Sequence, residues 1–337
     1  MMVVMYVYAG IDEAGYGPMY GPMTVGCAVL TLPDRPSDAK PPALWDMLDA
    51  AICKRLQGRR GRIAINDSKK LTTKAAGIKH LELGLLAFTG TNQRKLPGDA
   101  GQWLDLIGES RHRLTDRAGL AELPWYHATD ERPWQGLPTV NTPDEVTLAS
   151  GMLGRACQEA GVTFERFATQ VIYEDDFNRK VALTKSKAAV NFTAVAHHLV
   201  NIMNVYGQYQ PHVAVDRQSG RTRYRALLSQ IFERATINVL AELKKTSVYE
   251  VVLGSKKMFI SFTVEAEQRH LPVALASMNA KYTRELLMQR FNLFFQGISP
   301  EVNPTAGYGS DANRWRDAIL PHLRRAEISH DLLRRMG

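Results

Sequence analysis

Cysteine is scarce in this chain, and the three that occur do not form a pattern. Cys27, Cys53 and Cys157 are far apart, odd in number and without the spacing of a zinc site. A disulfide framework and a zinc ribbon are therefore excluded, and the pattern fits a reducing compartment, so a cytoplasmic protein is expected. Long apolar runs are also missing. No stretch of 18 apolar residues occurs, so no membrane span and no membrane partner are expected. The first residues are apolar but lack a basic flank and run straight into acids; a core strand, not a signal peptide, is the expectation. Negative charge is in the minority, with 34 Asp and Glu against 42 Lys and Arg, a net charge of +8. That balance tilts toward a polyanionic partner. The basic residues gather at 55–62, 69–79, 217–225 and 314–335. What the chain does have is a 45% hydrophobic fraction over 337 residues, enough for a sizeable core in one large domain or two.

The stretch with the strongest local signal is residues 9–22, A-G-I-D-E-A-G-Y-G-P-M-Y-G-P. A β-prone run at 3–8 precedes it and another, 23–32, follows. The pattern reads as strand, tight glycine turn, strand, with Asp12 and Glu13 at the mouth of the hairpin. Because side chains alternate along a strand, these two acids point to opposite faces. Gly15, Gly17 and Gly21 allow a backbone to come close to a ligand. Carboxylates beside such a turn suit a hard divalent cation; the plainer alternative is a hairpin with a solvated acidic end.

Further along, residues 33–42 hold prolines and read as a loop, and 43–56 has the apolar spacing of a helix. A short strand at 63–65 leads to Asn66-Asp67-Ser68-Lys69-Lys70-Leu71-Thr72, where Asp67, Ser68 or Thr72 can cap a helix beside two lysines. The pattern weakens over 89–145, which is read as an insertion whose Trp103, Trp125 and Trp134 form either a small core of their own or a base-stacking surface. A helix is expected over 144–160 and a strand over 167–173, ending in the acid triplet Glu174-Asp175-Asp176, which reads as a solvated loop with metal binding as the alternative. Residues 187–206 have strong helical periodicity; His197 and His198 on it lack a ligand partner at matching spacing. A strand over 211–215 ends in Asp216, and Arg217-Gln218-Ser219-Gly220 turns the chain. Residues 224–232 read as a helix, 238–243 and 248–253 as strands or connectors, and 259–264 as a strand followed by Glu265-Ala266-Glu267. One long helix is expected over 272–295, with small residues in its first turns for close packing, Lys281, Arg284 and Arg290 on its polar side, and Glu285 spaced to pair with Lys281. A turn at 307–311, a helix around 314–325 and a basic end complete the chain.

Asp12 with Glu13, Asp216, and Glu267 thus each stand where an apolar, strand-like run ends. Four carboxylates with no histidine or cysteine among them argue for two magnesium or manganese ions, the arrangement that catalyses in-line displacement at phosphorus. A basic chain supplies contacts to a phosphate backbone.

Several ordered segments resemble the type 2 ribonucleases H, that is, ribonuclease HII and ribonuclease HIII. They are Gly10-Ile-Asp-Glu-Ala-Gly-Tyr-Gly-Pro continuing to Gly21-Pro22, Asp67-Ser-Lys-Lys-Leu, Ala214-Val-Asp216, Glu267 with Ala276-Ser277 and Ala280-Lys281, and Gly307-Tyr308-Gly309-Ser310-Asp311. The resemblance implies an α/β, ribonuclease H-like fold, a mixed five-stranded central sheet with helices on both faces. A catalytic domain is then expected over 1–296, with the insertion at about 89–145, and a helical C-terminal extension over 297–337. It implies hydrolysis of the RNA strand of RNA–DNA hybrids, leaving 5′-phosphate and 3′-hydroxyl ends, by a chain expected to be monomeric. Asp12, Glu13, Asp216 and Glu267 would hold the two Mg2+ or Mn2+ ions. Gly15, Tyr16 and Gly17 would face the ribose 2′-hydroxyls, Ser68 and Lys69 would contact the nucleic-acid backbone, and Tyr308 would stack on a sugar at an RNA–DNA junction.

Three departures bear on specificity. Tyr16 stands where the family has Arg or Lys between the turn glycines, and a tyrosine cannot clamp a phosphate with charge. The fourth acid is Glu267, as in ribonuclease HIII, with Glu265 a rival for the role, and Glu285 is expected near the metals and not on them. The insertion has no counterpart. The alternative is a catalytically weak relative that binds nucleic acid.

Overall fold

In the computed structural model, which describes residues 5–33, 41–92, 95–108, 123–217 and 220–336, strand β1 (Met5–Ala14) runs antiparallel to β2 (Met23–Pro33) in the expected hairpin. Both strands are apolar almost without interruption because both of their faces are covered. Chain order continues through α1 (Leu44–Met47), β3 (Ile52–Cys53), β4 (Ile63–Ala64), α2 (Ser68–Leu71), α3 (Lys79–Asn92), α4 (Ala100–Leu106), α5 (Pro143–Ala160) and β5 (Thr163–Ile172). It then runs through α6 (Glu174–Thr184), α7 (Lys187–Tyr206), β6 (His212–Asp216), α8 (Arg225–Ile231), β7 (Thr236–Glu242), β8 (Thr246–Leu253), β9 (Lys256–Thr263), α9 (Leu271–Ile298), α10 (Gly309–Arg325) and α11 (His330–Leu333). The expected loop at 33–42, the turn at 217–220 and the 89–145 region fall partly outside the described residues.

The fold is the expected mixed α/β sheet flanked by helices, with strand order β5-β2-β1-β6-β9-β8-β7. The sheet has seven strands among the described residues, two more than the resemblance implied, because 236–242 and 246–253 pair as a hairpin on β9. β1, β6 and β9 are mutually parallel, so their C-terminal ends leave the sheet along one edge.

Alternate residues of the central strands feed two cores. Tyr6, Tyr8, Ala28, Leu30 and Leu32 face α9; Val7, Ala9, Ile11, Val25, Cys27 and Val29 face α7. α9 lies very close to the sheet. A Cβ on Gly10 would stand 2.1 Å from the Pro272 carbonyl carbon, and one on Gly26 2.3 Å from the Ala276 oxygen. Glycine in the strands and small residues in the first turns of the helix thus seat α9 directly over β1 and β2. α7 begins at the Ser186 cap, whose Oγ accepts the Ala189 N–H at 3.2 Å, and its 20 residues match the periodicity.

Four expectations need correction. The helical spacing at 43–56 yields only α1, because Ile52–Cys53 pairs with Ile63–Ala64 as a small parallel ladder; the apolar positions are buried as spaced, but tertiary pairing takes over the backbone. The triplet 174–176 opens a helix, α6, that the sequence did not announce. Trp103 and Trp125 form neither a separate core nor a stacking surface: both are buried in the common core, Trp103 against Phe167 and Tyr282 and Trp125 against Phe291, Phe294 and Phe295. Arg284 and Arg290 are not on a polar side. Arg284 is fully buried and donates to Pro22 O (3.1 Å), Tyr20 O (3.0 Å) and Ala306 O (3.1 Å). Arg290 is buried and donates to the carbonyls of His127, Arg132 and Pro133. The C-terminal helices rest on the same core through Ala312, Trp315, Ile319, Leu323 and Leu333. No helix among the described residues is long and apolar enough to cross a membrane.

Candidate active site

Where β1, β6 and β9 leave the sheet, their exits and the helices α2 and α9 enclose a cleft of about 240 Å3. Asp12 and Glu13 end β1, Asp216 ends β6, and Glu267 lies in a single 3-10 turn just after β9. All four line the cleft, together with Gly15, Tyr16, Gly17, Ser68, Lys69 and Tyr308. Residues selected from five separated segments of sequence therefore share one concavity. The parallel pairing of β1 with β6 and of β6 with β9 is what brings them together, because parallel neighbours deliver their last residues to one edge.

The two acids of β1 are oriented from opposite faces, as strand alternation requires. Asp12 Oδ1 accepts the Glu13 N–H at 2.7 Å, and its carboxyl is hydrogen-bonded by Ser277 of α9. Glu13 is hydrogen-bonded by Asn191 of α7 and faces Lys69. Asp216 Oδ1 accepts the Ala266 N–H at 3.0 Å, which ties the turn carrying Glu267 to the end of β6.

Burial in the cleft dominates the electrostatics. It holds the Asp12 carboxyl well above the usual carboxylate range, with repulsion from Glu13 and then Asp216 adding to it. It raises Glu13 against the opposing Asn191 bond and the Lys69 charge. It pushes Asp216 up to about 6 despite the Ala266 hydrogen bond, with Glu13 contributing repulsion. Glu267, 8% exposed, is pushed up to about 7, first by burial, then by Asp216 and Asp67. Four carboxyls thus resist ionisation, first because they are desolvated and, for Asp12, Asp216 and Glu267, also because they face neighbouring acids.

A divalent cation would relieve that repulsion. The acidic donors are carboxylate oxygens, the set that hard magnesium-class ions take, and among the described residues no imidazole or thiol lines the cleft. The donor chemistry therefore fits such ions. Among the described residues, no three His, Cys, Asp or Glu side chains converge closely enough to hold an ion as they stand.

The walls are built from the remaining segments. Asp67 caps α2 by accepting the Lys69 N–H at 3.0 Å, and buried Ser68 meets Ser277, whose Oγ lies 3.1 Å from its own. Tyr308, 40% exposed, stands beside the Arg284 guanidinium (5.0 Å from its ring centre) and Lys281 (5.8 Å). Its turn is docked on the hairpin by Met19 N–H donating to Gly307 O at 2.8 Å, and Gly307 has φ +83° with no room for a Cβ beside Tyr20 O. The hairpin glycines divide their work. A Cβ on Gly15 would stand 2.6 Å from Arg284 Nε and one on Gly21 2.1 Å from Met288 Sδ, whereas Gly17 opens onto free space. Gly15 and Gly21 thus make room for the protein's own helix.

Sequence reasoning left Asp67, Ser277 and Lys281 without a role at the cleft, although all three line it. They sat within quoted segments, but only the docking of α2 on α9 aims them at the acids. Glu265 is exposed with φ +53° and does not line the cleft, and Glu285 pairs with Lys281 at 2.6 Å outside it. The triplet is elsewhere too: Asp175 and Asp176 pair with Arg179 and Lys180, while Glu174 is buried under the hairpin turn. His198 is a core residue whose Nε2 lies 2.9 Å from Val25 O, and His197 is exposed.

No protein-family profile matches the chain, and no curated protein does. Solved structures do. The chain is similar to ribonuclease HII in its PCNA complex from Archaeoglobus fulgidus, at 15% identity and a TM-score of 0.41, over 98% of this chain and 94% of that one. It is similar to ribonuclease H2 of Pyrococcus horikoshii OT3 at 13% identity and a TM-score of 0.39, over 97% and 92%. It is also similar to Bst-RNase HIII in complex with Mn2+ at 13% identity and a TM-score of 0.41, over 99% and 67%. At such values the likeness is one of similarity alone, and what the cleft can do has to be argued from its own residues.

Proposed function

We propose that the protein is a metal-dependent endonuclease that hydrolyses the RNA strand of RNA–DNA hybrids, leaving 5′-phosphate and 3′-hydroxyl ends. The observation that carries this reading is the meeting, in one acidic cleft, of the residues of five ordered sequence segments that resemble the type 2 ribonucleases H. Asp12, Glu13, Asp216 and Glu267 would hold two magnesium or manganese ions, which when bound supply charge stabilisation at the phosphorus and an activated water. The chain's own residues do the rest. Lys69 and Ser68, on the capped start of α2, bind a backbone phosphate by charge and hydrogen bond. Gly15, Tyr16 and Gly17 approach the strand where the open side of Gly17 leaves room. Tyr308, braced by Arg284 and Lys281, offers its exposed ring to a sugar. Asn191 and Ser277 keep the β1 carboxylates apart and aimed.

A second reading, a weakly active hybrid-binding protein, is favoured by Tyr16 in the turn and by acids that do not yet converge on one point. One experiment separates the two: cleavage and binding of labelled RNA–DNA hybrid, duplex DNA and duplex RNA, with magnesium and then manganese, for the parent and for Asp12→Asn and Asp216→Asn. Hybrid cleavage lost in both variants supports the nuclease; binding without cleavage in the parent selects the second reading.

A further inference from the structure

Two features of the sequence have no part in the cleft, the acid triplet beginning at Glu174 and the basic end of the chain. The structure brings them together behind the hairpin turn. Glu174, the first residue of α6, is fully buried; its Oε1 accepts the Gly21 N–H at 3.1 Å and the Tyr126 hydroxyl at 2.7 Å. Arg335, 3% exposed, donates from its backbone N–H to Met19 O at 2.8 Å and from Nη2 to Pro18 O. Its guanidinium lies over the Phe177 ring, 4.7 Å from the centre, and Glu174 is close enough to attract it. Asn178 secures the segment on both sides, donating to Arg334 O at 2.8 Å and accepting the Met336 N–H at 2.7 Å. Tyr20 adds a 2.8 Å hydrogen bond to His330 Nε2.

A buried carboxyl from the middle of the chain and a buried guanidinium from its C-terminal end thus each hold the backbone of one short turn. The carboxylate takes an N–H at its far end; at its middle the guanidinium takes the Pro18 carbonyl, while the Arg335 backbone N–H takes that of Met19. Burying either charge alone would be costly, so each is kept in place by the other and by the turn itself. The residues that precede the gripped carbonyls are Gly15, Tyr16 and Gly17, which line the cleft. Glycine-rich backbone has many conformations to choose from, and a grip immediately beside it removes that freedom before a ligand arrives.

We infer that Glu174 and Arg335 are positioning residues, which fix the turn from behind so that Gly15, Tyr16 and Gly17 meet the nucleic acid in one conformation. The identity of the ligand rests on the nuclease reading; the grip itself rests on the hydrogen bonds above. The pair touches neither the acids nor the substrate, so its loss is felt in substrate binding and not in the chemical step.

The test compares the full-length parent with Arg335→Met, Arg335→Lys and Glu174→Gln, using a fluorescein-labelled RNA–DNA hybrid and backbone hydrogen exchange over residues 15–19. Arg335→Met is expected to raise KM by about tenfold, the loss of one good hydrogen bond to a charged donor, with kcat within about twofold. Exchange over 15–19 accelerates in step, the manganese-induced shift in Tm stays as in the parent, and Arg335→Lys recovers part of both losses. If Arg335→Met does not fold, Glu174→Gln, which keeps an acceptor for Gly21, carries the same comparison. Unchanged KM with unchanged exchange, or a fall in kcat at constant KM, overturns the inference. A parent that neither binds nor cuts the hybrid overturns the nuclease reading instead, and exchange over 15–19 then decides the positioning role on its own.

Discussion

Glu267 carries the sharpest quantitative consequence of the cleft's electrostatics. Its folded-state pKa is pushed up to about 7, chiefly by burial. An acid whose pKa rises on folding binds its proton more tightly in the folded state, so its ionised form opposes folding. That penalty is absent below the unfolded value, builds as pH climbs toward 7, and is constant beyond. A rise from the ordinary glutamate value to about 7 corresponds to about 3.4 kcal/mol. Water in the open cleft screens part of it, so about 1–2 kcal/mol is the reasonable expectation. Glu267→Gln removes the charge at nearly constant volume. In EDTA at pH 8, the variant should therefore be more stable than the parent by that amount, a Tm higher by roughly 1.5–3 °C. At pH 5, just above the unfolded value, the difference should shrink to roughly a quarter, because the parent's folded carboxyl is then protonated, and it should vanish only below about pH 4. Manganese should reverse the order at pH 8, since the parent gains binding energy that the variant lacks. Differential scanning calorimetry over these conditions is the assay. A variant less stable than the parent in EDTA at pH 8, or an advantage undiminished at pH 5, would refute the claim that burying the ionised Glu267 carboxylate opposes folding.

Gly10→Ala places a methyl 2.1 Å from the Pro272 carbonyl carbon and should cost roughly 3 kcal/mol or more in urea denaturation, since neither backbone can yield cheaply; a cost under about 1 kcal/mol would mean that α9 is not seated on the strand. Trp103→Ala should lose about 3–5 kcal/mol by the same measure, together with its 3.1 Å hydrogen bond to Thr283, because the ring belongs to the shared core. Tyr16 predicts a weak preference for a single embedded ribonucleotide, about tenfold or more below a long hybrid in kcat/KM. Tyr16→Arg should narrow that gap, and equal cleavage of the two substrates by the parent would remove Tyr16 from the specificity argument.

The parts of the fold that were readable are those whose burial is periodic in sequence. Residues 187–206 repeat at helical spacing and form α7; the runs flanking residues 15–22 alternate or stay apolar and form β1 and β2. The site was readable for a related reason. Asp12, Asp216 and Glu267 end or follow apolar runs, and a parallel arrangement of those runs suffices to gather them. What stayed hidden depends on partners that local sequence cannot name. Arg284 and Arg290 look like the polar side of a helix until the carbonyls of Tyr20, Pro22 and His127 arrive to receive them. The β7–β8 hairpin looked equivocal because an edge strand is half exposed and its pattern correspondingly weak. α6 begins with three acids, which read as a loop; the burial of Glu174 against Gly21 is a long-range fact.

The parallel seating of β1, β6 and β9 has a further implication for how the molecule is made. The β1–β6 pairing joins residues some two hundred positions apart and the β6–β9 pairing residues some fifty apart, contacts that close late because the loops between them are long. Until that registry is complete Asp216 and Glu267 lie apart from the Asp12–Glu13 pair of β1. On the proposed function, cation affinity would be a property of the assembled sheet and not of its separate strands, and a manganese-dependent signal during refolding would time the last step of assembly.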